Sequence, residues 1–354
     1  VSPDGSAPSA TAASGRASQA TERSPCAAPS QRAASDLDAR DDDALTDCRD
    51  PRTGPRPEAA ACAEAPRHAT LSQQLEQLEE ALLLPPPGRM RELMARARAR
   101  GRHPDRFLLI GDSMTVSGGY LRDLDRPDRT VLAPAVSARL ASVDSDGDFV
   151  AFLRSVEAER VEGVPRSPFG ALRAARVGAR ASWALAGGPG SPLHTGVARQ
   201  SPAFALVLFG GNDAAYRAAP VAEVSDGFAA DLSRIVDALL ELDVIPVLHT
   251  VARHGNAPGI DTCDGPLSDW RIAVQTNAVS ARAAQLACDR GLPLIDLRHG
   301  LDTATAAGLG PDQIHLSTHP RGGAQLTDEG LRCGNNVRAY LTLRMLRRLR
   351  EQHR

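Results

Sequence analysis

A serine, an aspartate and a histidine stand where they could form a nucleophile and its base. Ser113 follows an apolar run within the sequence Gly-Asp-Ser-Met-Thr (111–115), and Asp312 lies three residues before His315 near the chain end. A serine hydroxyl is a weak nucleophile at neutral pH and needs a base. Histidine can take the proton, and a carboxylate within one local turn can hold the imidazole in the required tautomer. These residue types predict acyl-transfer chemistry.

An asparagine after a later apolar run could stabilise the charge that develops in such a reaction. Asn212 stands in the sequence Gly-Gly-Asn-Asp (210–213), and its side-chain amide could donate a hydrogen bond to an oxyanion. Each motif has a second interpretation. Asp112 or Ser113 could cap a helix, Asn212 could close an Asx turn, and Asp312 with His315 could be a surface pair.

Strands alternating with helices must position these residues. Short apolar runs predict buried parallel strands at Phe107–Ile110, Ala205–Phe209, Val244–Leu248 and Leu292–Asp296. Helical periodicity predicts helices at Phe228–Leu242, Trp270–Arg290 and about Thr327–Arg350. This alternation indicates a parallel sheet covered on both faces, where chemistry lies at the carboxyl ends of the strands.

The N-terminal third divides into a polar segment and two helices. Residues 1–68 hold few large apolar side chains and predict a disordered tail or tether, which leaves 69–354 as the folded domain. Leu71–Leu84 and Arg89–Arg100 have helical patterns. We favour helices packed on the domain over a partner-binding arm. The length of the segment 124–176 predicts an insertion that borders the site. We expect one strand within this segment.

Composition excludes several classes of protein. All 41 basic residues are arginine and the net charge is −2, which excludes Schiff-base or P-loop lysine chemistry and argues against sequence-blind nucleic-acid binding. No apolar run is long enough to cross a membrane. The six cysteines form no C-x-x-C pair, so we expect no zinc site, and Cys288 in an apolar helical stretch predicts a buried thiol.

Two further groups could hold a metal ion. The carboxylates of Asp144–Asp148 could bind calcium, but the glycine spacing is wrong and a solvated acidic turn is the favoured interpretation. His249, His254, Cys263 and His319 could join His315, yet their spacing matches no metal signature. His249 at a strand end and His319 beyond the base could instead line the site. We therefore expect no metal and no organic cofactor.

The three motifs in this order resemble the SGNH (GDSL-type) hydrolase superfamily, over about residues 107–345. The resemblance implies a flavodoxin-like three-layer α/β/α fold with a parallel sheet of about five strands. It also implies Ser113 as nucleophile, His315 as base and Asp312 as its orienting carboxylate. Asn212 and the Ser113 backbone N–H would be oxyanion donors.

A fourth block of that family supplies a glycine whose backbone N–H completes the oxyanion hole. The segment Val177–Ser182 is similar to the corresponding block of the rhamnogalacturonan-acetylesterase-like branch. In that register Ala179 occupies the glycine position and Gly178 precedes it. Gly178 and Ala179 are therefore both candidate donors.

The resemblance implies a serine esterase that deacylates a small ester or an acylated carbohydrate, with deacetylation of an envelope glycan as one such reaction. The tail, the cysteines and the habit of the family predict a secreted or envelope-associated protein, with the tail as a tether. The alternative is a non-catalytic carbohydrate-binding or envelope-interaction protein on a decayed hydrolase fold. Only the enzyme would react with a fluorophosphonate at Ser113.

Overall fold

The computed structural model describes residues 70–117, 119–121, 124, 128–140, 174–215, 219–254 and 270–351. Three predictions therefore lie outside the described residues: the disordered tail (1–68), the acidic segment Asp144–Asp148, and most of the predicted insertion. Cys263 lies outside them as well.

The apolar runs form one sheet whose central strands are parallel. In chain order the strands are β1 (Leu82–Leu83), β2 (His103–Gly111), β3 (Val131–Leu132), β4 (Pro202–Leu208), β5 (Ile245–His249), β6 (Leu294–Ile295) and β7 (Gln325–Leu326). The main sheet has the order β1-β6-β5-β4-β2. Strands β2, β4, β5 and β6 pair in parallel. Every residue of β4 and β5 is buried, as expected for strands covered on both faces.

Helices follow the strands and cover the sheet. They are α1 (Leu71–Glu80), α2 (Pro87–Ala99), α3 (Ser113–Val116), α4 (Pro134–Leu140), α5 (Pro192–Gln200), α6 (Gly211–Ala215), α7 (Val221–Glu241), α8 (Trp270–Arg290), α9 (Leu297–Leu301) and α10 (Gly334–Glu351). The predicted flavodoxin-like α/β/α fold is confirmed. Among the described helices, none is both long and apolar enough to cross a membrane.

The N-terminal helix packs on the domain and is shorter than its periodicity predicted. Leu75 and Leu78 of α1 are fully buried. The buried Gln74 amide donates to the carbonyl oxygens of Thr303 and Leu331, at 3.2 and 2.8 Å. The helix ends at Glu80 because the next residues form β1, which pairs antiparallel with β6. One edge of the main sheet is thus antiparallel.

The segment before the last helix also differs from the prediction. Helix α10 begins at Gly334 rather than near Thr327, because β7 and a 3₁₀ turn (Gly330–Arg332) come first. Gly330 lies against the carbonyl of Gln325 so closely that a Cβ would not fit there. β7 pairs in parallel with β3 in a separate two-stranded sheet. β3 is thus a strand within residues 124–176, where the sequence predicted one.

Two cysteines of the domain are oxidised. Cys288 and Cys333 are each disulfide-bonded. The prediction of a buried thiol at Cys288 was wrong: the residue lies on α8, is only partly buried, and carries a disulfide. A single cysteine in a helical pattern gives no signal of a distant partner, so the sequence could not reveal this.

Candidate active site

The ends of β2 and β4 meet at one edge of the sheet. Gly111, the last residue of β2, pairs with Leu208, the last residue of β4. The motifs containing Ser113 and Asn212 directly follow these two residues. Because parallel strands end at the same edge, the fold brings the motifs together, as expected from the sequence.

Ser113 is held at a tight turn from strand to helix. Asp112 is extended (φ −104°, ψ −153°), and its carboxylate accepts a hydrogen bond from the Met114 N–H at 3.0 Å. The helix cap predicted as an alternative is therefore present. Asp112 provides it, so the Ser113 hydroxyl is not needed for capping. Position 111 must be glycine, because a Cβ there would collide with the Thr115 side chain and the Leu208 carbonyl. Ser113 remains partly exposed at the edge.

Three of the predicted side chains form a continuous hydrogen-bonded chain. His315 Nε2 lies 2.9 Å from Ser113 Oγ. His315 Nδ1 lies 2.7 Å from Asp312 Oδ2. Since a carboxylate accepts only, Nδ1 donates to it, and Nε2 then accepts from the serine hydroxyl. This arrangement lets the histidine withdraw a proton from the hydroxyl as the oxygen attacks.

The loop that carries the histidine is held by its own backbone. Asp312 Oδ1 accepts hydrogen bonds from the Ile314 and His315 N–H groups, at 3.1 and 2.9 Å. Partial burial alone would raise the pKa of Asp312. The hydrogen bonds from the His315 side chain and the two N–H groups outweigh it, so the pKa is lowered and the carboxylate stays charged. Both side chains are about half exposed, 48% for Asp312 and 45% for His315.

The segment containing Gly178 and Ala179 borders this edge as a tight turn. Gly111 donates to the Ala174 carbonyl and accepts from the Arg176 N–H, at 3.1 and 3.0 Å, which attaches the segment beside β2. The Ala179 N–H donates to the Arg176 carbonyl at 3.1 Å and closes the turn. Gly178 has a left-handed φ of 73° and open space at its Cβ position. Among the described residues, nothing accepts from the Gly178 N–H.

Asn212 and Asp213 pin that turn to the end of β4. Asn212 Nδ2 donates to the Ala179 carbonyl at 3.0 Å, which uses one of its two amide hydrogens. The Asp213 carboxylate accepts the Ala181 N–H, at 3.3 and 3.2 Å from its two oxygens. Burial raises the pKa of Asp213 to about 6. The alternative of an Asx turn would need Asn212 Oδ1 to accept a backbone N–H, and no N–H of the described residues donates to it.

A buried arginine supports the turn around Ser113. Arg338 of α10 is 1% exposed and its guanidinium lies 3.7 Å from the centre of the Tyr120 ring. It donates to the Met114 carbonyl at 2.7 Å and to Thr115 Oγ1 at 3.3 Å. It therefore fixes the two residues that follow Ser113. Burial raises the pKa of Asp112 to about 6, and the nearby Arg338 charge moderates the rise.

The remaining histidines do not join the hydrogen-bonded chain. His249 is buried, with Nδ1 3.1 Å from the Val207 carbonyl. His319 is buried and accepts the Arg321 N–H at Nδ1, at 3.2 Å. His254 lies beside Gly211 at the site edge. Within the described residues, no group of three or more His, Cys, Asp or Glu side chains could hold a metal ion.

Sequence reasoning gave no role to Asp213 or Arg338. Asp213 could have been found, because it directly follows Asn212 at a strand end where a carboxylate must find a donor. Arg338 carried no signal. It is one of several arginines on α10 and lies 224 residues from Met114 in the chain.

Comparison with known proteins identifies the family of this chain. The GDSL-like lipase/acylhydrolase family matches residues 109–319, more than half of the chain. A GDSL-like lipase from Bacteroides thetaiotaomicron is similar in structure (TM-score 0.42, 13% identity), covering 73% of this chain and 98% of that one. An acetylxylan esterase from Geobacillus stearothermophilus has a TM-score of 0.39 and 19% identity, covering 68% and 93%. No curated protein sequence matches significantly. The chain belongs to the GDSL-like lipase/acylhydrolase family and is an ester-bond hydrolase.

Proposed function

We propose that the protein is a serine esterase that works through an acyl-enzyme on Ser113. The observation that carries the proposal is the hydrogen-bonded chain from Asp312 through His315 to Ser113 Oγ. All three groups are within hydrogen-bond reach before any substrate binds, which is the geometric requirement for a nucleophile and its base. Because this series of hydrogen bonds is complete, we favour an enzyme over a non-catalytic binding protein on a decayed hydrolase fold.

The reaction has two balanced halves. Ser113 Oγ forms a bond to the ester carbonyl carbon while its proton passes to His315 Nε2. The tetrahedral intermediate collapses, the alcohol leaves with the proton from His315, and the acyl group stays on Ser113. Water then attacks the acyl carbon and gives a proton to His315. The bond between the acyl carbon and Ser113 Oγ breaks, His315 returns the proton to Ser113 Oγ, and the acid is released. Asp312 stabilises the imidazolium in both halves.

Three donors are suited to the oxyanion. The backbone N–H groups of Ser113 and Gly178 have no acceptor among the described residues, and Asn212 keeps one amide hydrogen after binding the Ala179 carbonyl. Of the two candidates in the glycine block we choose Gly178, because the Ala179 N–H is taken up by the turn. Preorganised donors of this kind are each worth roughly 10²–10³ in rate.

We further propose that the substrate is an acylated carbohydrate, with an acetyl group as the simplest acyl part, and that the protein acts outside the cytosol. The segment Val177–Ser182 supports the first part by its resemblance to the rhamnogalacturonan-acetylesterase-like branch. The disulfides at Cys288 and Cys333 support the second, because disulfides persist in oxidising compartments.

The test is hydrolysis of p-nitrophenyl acetate by the wild-type protein, Ser113→Ala and the control Ser182→Ala, an exposed serine of the neighbouring segment. We expect Ser113→Ala to lose roughly 10⁴-fold or more of the activity at unchanged circular dichroism. A fluorophosphonate probe should label the wild type and Ser182→Ala only. Retained activity or labelling in Ser113→Ala would overturn the proposal.

A further inference from the structure

Two basic side chains at the sheet edge of the proposed active site each have a buried nitrogen with no hydrogen-bond partner among the described residues. They are His254, at Nε2, and Arg298, at Nη1. His254 follows the end of β5 and Arg298 follows the end of β6, so both lie at the carboxyl edge of the sheet that carries Ser113 and Asn212. Buried polar groups are rarely left unpaired, and each such group calls for a physical reason.

The imidazole of His254 borders the catalytic residues. A Cβ placed on Gly211, the residue before Asn212, would lie 3.4 Å from His254 Nε2 and 3.6 Å from Asp112 Oδ2. His254 is only 6% exposed. Burial, together with the nearby His315 and Arg298, lowers its pKa to about 4, so the ring is neutral at pH 7. A neutral imidazole can still donate one N–H to a ligand.

The backbone of Arg298 is anchored between the two strand ends. Its N–H donates to Thr250 Oγ1 at 3.0 Å, and that hydroxyl donates to Asp296 Oδ1 at 2.8 Å. Thr250 follows β5 directly and Asp296 follows β6 directly. The guanidinium is thus carried by a fixed stretch of backbone.

The acidic side chains around Arg298 are occupied elsewhere. Asp302 binds Arg253 through both oxygens, at 3.0 and 2.8 Å. Asp296 accepts from Thr250 and from the His299 N–H, at 2.8 and 3.2 Å. Burial, reinforced by Arg253, lowers the pKa of Arg298 to about 10, so it remains a cation at pH 7. Asp302 and Asp296 oppose part of this shift, but no described carboxylate binds the guanidinium directly. A cation that is largely withdrawn from water without a hydrogen-bonded anion is unfavourable.

We propose that Arg298 and His254 form a pocket for a carboxylate carried by the ester, so that the enzyme selects acidic substrates. A guanidinium matches a carboxylate geometrically and can bind it through two parallel hydrogen bonds. The His254 N–H adds a donor that does not require protonation. This inference rests on the proposed esterase activity, because the pocket borders its catalytic residues. The carboxylate could belong to the acyl part, as in a dicarboxylic half-ester, or to the alcohol part, as in an acidic sugar.

Matched pairs of esters distinguish these two sources. For the acyl part, mono-p-nitrophenyl succinate is compared with its methyl-capped neutral form. For the alcohol part, 4-acetoxybenzoate is compared with its methyl ester. The quantity measured is the ratio of kcat/KM for the charged ester to kcat/KM for the neutral ester. We expect the wild-type ratio to exceed 10 in one of the two pairs.

Variants show whether the two residues cause the preference. Arg298→Gln should lower that ratio at least tenfold, and His254→Asn about threefold. The Arg253→Gln, Asp302→Asn double variant removes an ion pair from the same edge without freeing a carboxylate beside Arg298, and should keep the ratio within twofold. Arg298→Met serves as a second variant if Arg298→Gln does not fold. Ratios near 1 in both pairs, or an unchanged ratio in the Arg298 variants, would overturn the inference.

Failure of the esterase proposal can be recognised separately. If neither neutral ester is cleaved and no fluorophosphonate labels Ser113, calorimetric titration of succinate and 4-hydroxybenzoate into the Ser113→Ala protein tests the pocket alone. If succinate or 4-hydroxybenzoate binds to Ser113→Ala and this binding is lost in the Ser113→Ala, Arg298→Gln double variant, the pocket is supported. If neither ligand binds to Ser113→Ala, the pocket is overturned.

Discussion

The proposed nucleophile and its proposed base are held in two different ways. The turn around Ser113 is supported by buried groups: Asp112 caps it locally, and Arg338 reaches it from the last helix. The buried Asp213 holds the neighbouring turn that contains Gly178. The loop with Asp312 and His315 is about half exposed and is held by hydrogen bonds within four residues. The carboxylates show the contrast: burial raises the pKa of Asp112 and Asp213, whereas local donors lower that of Asp312.

Because of this difference, substitutions in the two regions should affect catalysis and stability to different degrees. A half-exposed side chain in a self-contained loop contributes few packing contacts, so its removal should affect the reaction alone. A buried group that links elements far apart in sequence contributes to the folded state as well. Variants in the two regions should therefore have opposite signatures.

The largest expected effect is that of His315→Ala on catalysis. We expect kcat/KM for p-nitrophenyl acetate to fall by roughly 10⁴–10⁶, because Ser113 loses its base. The melting temperature should stay within about 2 °C of the wild type, because the side chain is half exposed. His299→Ala removes an exposed histidine as a control and should keep full activity. A large fall in melting temperature for His315→Ala would show that the loop is not self-contained.

In the buried region, Arg338→Met should lower both the stability of the protein and its catalytic rate. The change removes the donors to the Met114 carbonyl and Thr115 Oγ1 and the stacking on Tyr120. We expect about 3 kcal/mol of lost stability by urea unfolding, together with a lower kcat measured well below the melting temperature.

Arg344→Met is the matched control for that variant. It removes a partly buried arginine of the same helix that binds Glu79 at 2.7 Å, a carboxylate that Tyr340 and Arg348 also contact. It should cost about 1 kcal/mol with unchanged kcat. An Arg338→Met protein that unfolds like the wild type would contradict the contrast between the two regions.

The same contrast explains what the sequence could predict. The buried strands appear as continuous apolar runs, and the Asp312–His315 loop is encoded within four residues, so both could be recognised locally. The pairing of Leu82 and Leu83 with β6 and the contact of Arg338 with Met114 depend on residues more than 200 positions away. No local pattern specifies such contacts, so the antiparallel edge and the buried arginine could only be seen in the fold.

The smallest expected effect is a pH dependence at Asp213. Burial raises its folded pKa from 3.8 to about 6, so between these values the folded state binds more protons than the unfolded state. Stability from this group is therefore fully present below pH 3.8 and is lost as the pH rises through about 6. Asp213→Asn cannot titrate and keeps an acceptor for the Ala181 N–H.

Urea unfolding of the wild type and of Asp213→Asn at pH 4, 5, 6 and 7 checks this sign. Relative to the variant, the wild type should lose about 2–3 kcal/mol between pH 4 and pH 7. Taking the difference removes other titrating groups, such as Asp112, His249 and His254, which are common to both proteins. The exposed carboxylate variant Asp289→Asn should show no such trend. A wild type that gains stability over the variant as the pH rises would mean that the donors around Asp213 outweigh its burial, and the two regions would then hold their carboxylates in the same way.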